Sequence, residues 1–195
     1  MKICFSFGFV LIAIAALSQK TYVDSLLAFQ NAYVSNHEVV KNKDRKKLRF
    51  FEIDPDYRVT ATIQKKENSP WFSMPSSGPI KKLHRIYAIA FFNIKGKQYQ
   101  LNIYQSQDLL QNATYKNYLF LPFTDATTGK STYMGGRYID LTTEDVQNDQ
   151  VIIDFNKAYN PYCAYVTGRY NCPIPPKENN LSISVNAGEK AYGKH

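Results

Sequence analysis

Between Tyr133 and Asn180 the chain gathers the side chains best suited to chemistry. Arg137 and Asp140 follow a Gly135-Gly136 pair, and Asp154, Asn156, Lys157, Asn160 and Tyr162 come together a little further on. Arginine and lysine can hold an anion, asparagine and tyrosine supply hydrogen bonds, and Asp154 is a candidate base. These seven residues form the candidate ligand-binding set. No catalytic residue is assigned among them. A strand over 151–155 would put Val151, Ile153 and Phe155 on one face and Ile152, Asp154 and Asn156 on the other. The competing reading is structural: Asp154 and Asn156 cap the loop, and Arg137 pairs with an acidic neighbour. Tyr159, Tyr162, Tyr165 and Tyr170 fall in the same stretch of a chain with 15 Tyr and 12 Phe. Such rings make contact surfaces for sugars, peptides or partner proteins, or they pack a small β-barrel.

Other chemistries find less support. Thr128-Gly129-Lys130-Ser131-Thr132 resembles the end of a phosphate loop, but Thr124 stands where that loop requires glycine, so a tight turn is expected. His37, His84 and His195 are scattered, and the spacing of Cys163 and Cys172 is not that of a zinc knuckle. No metal and no cofactor is therefore expected. A thiolate nucleophile at either cysteine would need a neighbouring base, and a disulfide would remove it.

The N-terminus carries Lys2, an apolar run from Ile3 to Leu17, and the small residues Ala16 and Ser18 before Gln19. That is the pattern of a signal peptide over residues 1–18, too short to span a bilayer comfortably. The protein is thus expected to be exported, to the periplasm or beyond, with no transmembrane segment after cleavage. Removing Cys4 with the signal leaves Cys163 and Cys172, which in an oxidising compartment read as a disulfide. The formal charge is +8. Much of the excess sits in Lys41, Lys43, Arg45, Lys46 and Lys47, a run that suits a solvated linker rather than a nucleic-acid site.

These groups need a scaffold. Val23, Leu26, Leu27, Ala28 and Tyr33 recur at helical intervals, predicting one amphipathic helix from Tyr22 to about Asn36. Period-two alternation then predicts strands around 58–64, 98–103 and 181–186, and continuous apolar runs predict strands at 86–94, 118–123 and 151–155. Lys95-Gly96-Lys97 joins a hairpin, and Asp54-Pro55-Asp56 is a turn between the first two strands. Eight or nine strands and one helix imply a mainly β fold, a single-domain antiparallel β-barrel or sandwich with one N-terminal amphipathic helix. The organisation is a signal peptide at 1–18, helix and basic linker at 19–47, and a β domain at 48–195.

Several motifs carry a resemblance: Phe50-Phe51-Glu52-Ile53-Asp54, Leu119-Phe120-Leu121-Pro122-Phe123, Gly135-Gly136-Arg137-Tyr138, Asp154 to Asn180, and Ala187-Gly188-Glu189-Lys190. Over roughly residues 45 to 190 the chain resembles the prokaryotic domain-of-unknown-function 1684 family. The resemblance implies no particular activity. Many members have Glu and Gly where this chain has Ser131 and Met134, which implies that neither side chain is essential to a shared chemistry. The expectation is an exported binding or structural envelope protein whose partner is a small molecule, a glycan or an envelope protein, not nucleic acid. The alternative is a small hydrolase-like enzyme acting on an anionic or carbohydrate substrate.

Overall fold

The computed structural model describes residues 6–193, with side chains from residue 19 onward. The expected signal segment therefore lies outside the described side chains, and His195 lies outside the described residues. Helix α1 (Ser6–Asn36) ends where His37 Nδ1 accepts from the backbone N–H groups of Val39 and Val40. The basic run coils into a short 3-10 helix, Asn42–Lys47, with a Lys47–Asp44 ion pair of 2.8 Å. Among the described residues no helix is long and apolar enough to cross a membrane.

Among the described residues seven strands follow, in one sheet: β1 (Arg58–Lys65), β2 (Phe72–Ser73), β3 (Leu83–Ile94), β4 (Lys97–Ser106), β5 (Tyr118–Phe123), β6 (Arg137–Thr142) and β7 (Gln150–Asp154). The order is β6-β5-β4-β3-β1-β7, with β2 on the margin of β3, and every pairing is antiparallel. The sheet curls into a half-barrel. Its concave face holds the main core, including Ala61, Ala90, Ile103, Leu121, Phe123 and Phe155. A smaller cluster, Met74, Tyr104, Phe120 and Tyr138, packs on the other face. β5 is covered on both sides, as a continuous apolar run requires, whereas β3 leaves one face half-exposed.

The β3–β4 hairpin turns at Lys95 and Gly96, both at positive φ, the conformation a two-residue hairpin demands. Two expected strands did not form. Residues 181–186 alternate in burial as predicted, yet their backbone pairs through isolated bonds to the segment just after β5, such as Leu181 N–H to Thr124 O at 2.8 Å and Ala126 N–H to Ile183 O at 3.1 Å. Period two records an extended backbone over a core; it does not record a ladder. The stretch before Asp54 likewise makes one bridge, Phe50 to Glu189. The seven strands are accordingly fewer than the eight or nine expected. Residues 155–191 instead wrap the half-barrel as irregular chain and carry most of the site.

Candidate ligand-binding site

A cavity of about 730 Å³ opens between α1, β6, the loop after β7 and the cysteine loop. Phe29 and Tyr33 come from α1, Tyr138 and Asp140 from β6, and Lys157, Tyr159, Tyr162 and Tyr170 from the wrapping chain. The Tyr162 and Tyr170 rings lie 5.1 Å apart. Cys163 and Cys172 form the expected disulfide, which closes the loop bearing Tyr170, with Tyr162 just before its first cysteine. Ser77 ties that loop down, its N–H donating to Cys172 O at 2.9 Å and its Oγ accepting from Cys172 N–H at 3.0 Å.

Asp140 supplies the cavity's charge. Antiparallel pairing of β6 with β5, and a bridge from Tyr138 to Tyr159, bring two phenols onto one carboxylate oxygen. Tyr118 donates to Asp140 Oδ1 at 2.7 Å and Tyr159 donates to the same atom at 2.6 Å. Burial, reinforced by the Asp140 charge, raises both hydroxyls well above the ordinary tyrosine value, so they remain donors. Neither uses Oδ2. Lys157 is exposed, its Nζ 5.7 Å from the Phe29 ring centroid. Tyr162 donates to Glu38 Oε2 at 2.7 Å, and burial together with that bond pushes its hydroxyl up to about 12.

Asp140, Lys157 and Tyr162 thus meet in one cavity; the other four residues of the sequence-derived set lie in buried networks beside it. Arg137 is 1 % exposed and pairs with Asp125 at 2.6 Å, while donating to the carbonyls of Val185 and Ala187. Burial pulls its pKa down and Asp125 opposes that shift. Asp154 accepts from Tyr22 at 3.0 and 3.1 Å, because α1 reaches the Asp154 end of β7, while Ile152 on the same face stays exposed. Asn156 accepts from Asp54 N–H and donates to Asp54 O, locking the entry of β1 to the exit of β7. Asn160 donates to Lys190 O at 2.8 Å.

Sequence reasoning missed Glu189. It is fully buried, and it accepts from Tyr165 and Tyr33 and from the Asn160 backbone N–H at 2.7, 3.0 and 2.8 Å. Burial pushes its carboxyl up to about 7, against the lowering effect of these bonds. The available signal was the glycine beside it. Gly188 has φ +76°, and a Cβ there would meet Ala158 O at 2.6 Å, so the chain is pressed into the body at that point.

Chemically, the cavity presents aromatic faces, one carboxylate and one ammonium group. Asp140 is the lone acid among its described lining residues, whereas glycoside hydrolysis ordinarily uses two carboxylates. Among the described residues no cluster of three or more histidine, cysteine, aspartate or glutamate side chains could hold a metal ion.

None of the curated proteins matches the chain. A solution NMR structure of an uncharacterised protein from Haloarcula marismortui is similar, with TM-score 0.67 and 31% identity over 91% of this chain and 98% of that one. Because the family described as protein of unknown function (DUF1684) matches residues 43–190, from the basic linker through Glu189 to Lys190, the chain belongs to that family.

Proposed function

We propose that this is an exported binding protein that takes a carbohydrate-like ligand in the tyrosine-lined cavity. The observation that carries the reading is Asp140 among aromatic rings, one oxygen fixed by Tyr118 and Tyr159 and the other left for a ligand. Sugar rings offer apolar C–H faces to aromatic side chains and hydroxyls to a carboxylate. Lys157 and Asn171 line the same space and can donate to ring or hydroxyl oxygens. A lone acid favours binding over hydrolysis.

Saturation-transfer NMR with neutral disaccharides and uronic acids tests this. We expect saturable binding that Asp140→Asn and Tyr162→Ala each weaken by at least about tenfold, with the melting temperature little changed for Tyr162→Ala because that ring and its bond to Glu38 are both exposed. Binding equal in the wild type and both variants, or no sugar bound at millimolar concentration, would overturn the proposal.

A further inference from the structure

A second cavity of about 270 Å³ lies on the other side of Tyr138 and Tyr159, which line both spaces. Met74, Leu109, Phe120 and Pro173 give it an apolar body. Its tyrosine hydroxyls are already committed: Tyr118 and Tyr159 donate to Asp140, and Tyr138 donates to Pro173 O. Ser106 and His84 differ. They face one another directly across β4 and β3, so their side chains leave the sheet on the same side, and both line this cavity.

Ser106 is 3 % exposed, and its Oγ is buried with no hydrogen-bond partner. His84 is 4 % exposed, and its Nδ1 lies 3.1 Å from Lys82 O. A carbonyl can only accept, so Nδ1 carries the proton and the lone pair of the neutral ring sits on Nε2. Burial lowers the His84 pKa; the bond to Lys82 O opposes that shift and the Lys82 charge adds to it, and the net lowering favours the neutral ring. At the margin, exposed Lys82 is offset by Asp108 at 3.5 Å. A buried hydroxyl left unmatched costs stability unless something enters to bond it.

We propose that this second cavity is a site for a small neutral molecule with an apolar body and a polar head able both to accept from Ser106 Oγ and to donate to His84 Nε2, as a phenol, an alcohol or a primary amide can. The space greatly exceeds the roughly 30 Å³ share of one water molecule, so a single solvent molecule does not fill it. A carboxylate is disfavoured, having no proton for Nε2 and no unpaired cation to meet.

The experiment is a titration of the full chain with phenol, benzyl alcohol, benzamide and benzoate, followed by 15N NMR of the His84 ring and of the Ser106 amide. Neutral probes should bind saturably and shift His84 Nε2, and benzoate should bind at least about tenfold more weakly. Ser106→Ala should weaken the neutral probes by at least about fivefold, while Tyr162→Ala, confined to the first cavity, should leave them unchanged. If Ser106→Ala binds the probes as well as the wild type, or if His84 Nε2 responds to none of them, the cavity holds solvent only and the proposal fails. Because Tyr162→Ala and Ser106→Ala act on different cavities, failure here is distinguishable from failure of the carbohydrate reading.

Discussion

Arg137 and Lys157 show how one candidate set divides once burial is known. Arg137 faces Asp125 with both side chains about 1 % exposed, and Asp125 also accepts from Thr127. Arg137→Ala should cost about 3–5 kcal/mol in urea titration, because it strands a buried carboxylate. Lys157→Met should change stability by less than about 0.5 kcal/mol, since the ammonium is exposed. Equal costs for the two would refute this division. Residue types pointed to a stretch that borders the first cavity, and three of the candidates, Asp140, Lys157 and Tyr162, line it. The sequence already offered an acidic partner for Arg137, but nothing near it points to Asp125, just past β5, or to Val185 and Ala187, which reach it as the wrapping chain closes over β6.

At the scale of elements, α1 is fastened to the sheet and the wrapping chain by tyrosine–carboxylate bonds at three levels: Tyr22 to Asp154 in β7, Tyr33 to Glu189 in the wrapping chain and, exposed beyond the helix end, Tyr162 to Glu38. The middle one is pH-dependent. Glu189 titrates near 7 when folded against an ordinary value of 4.5, so between those values the native state keeps a proton that the unfolded chain has released. Its contribution is therefore complete below about pH 4.5, falls as pH rises to about 7, and is lost above, a change of roughly 3 kcal/mol. Glu189→Gln keeps an acceptor for Tyr33 and Tyr165 without titrating. Subtracting its urea-unfolding profile from the wild type should leave that decline, and a flat difference from pH 4.5 to 7 would contradict it. The helix was legible from its apolar spacing, and the β3–β4 hairpin from Lys95-Gly96. The pairing of helix and wrapping chain was not, because hydrogen bonds between residues more than a hundred positions apart leave no local period.

For the whole molecule, the question is which part of the N-terminal segment the fold requires. Residues after position 18 carry contacts that dock α1: Leu26 is fully buried, Tyr22 and Tyr33 reach the carboxylates, and Phe29 and Tyr33 wall the first cavity. A cut before Gln19, as the signal pattern predicts, would leave that docking face intact. If the protein is exported as proposed, intact mass of its mature form should show a start at Gln19. A chain starting at Gln19 keeps these contacts and should unfold cooperatively. A chain starting at His37 loses the burial of Leu26, worth about 1.5–3 kcal/mol, and the two tyrosine bonds to carboxylates, worth about 1.5–3 kcal/mol each. Those losses approach the total stability of an ordinary domain, roughly 5–15 kcal/mol, so the shorter chain should unfold at far lower denaturant and lose the first cavity with its wall. Equal midpoints for the chains starting at Gln19 and His37 would mean that α1 rests on the half-barrel without supporting it, and recovery of mature protein still bearing Met1 would refute the processing step.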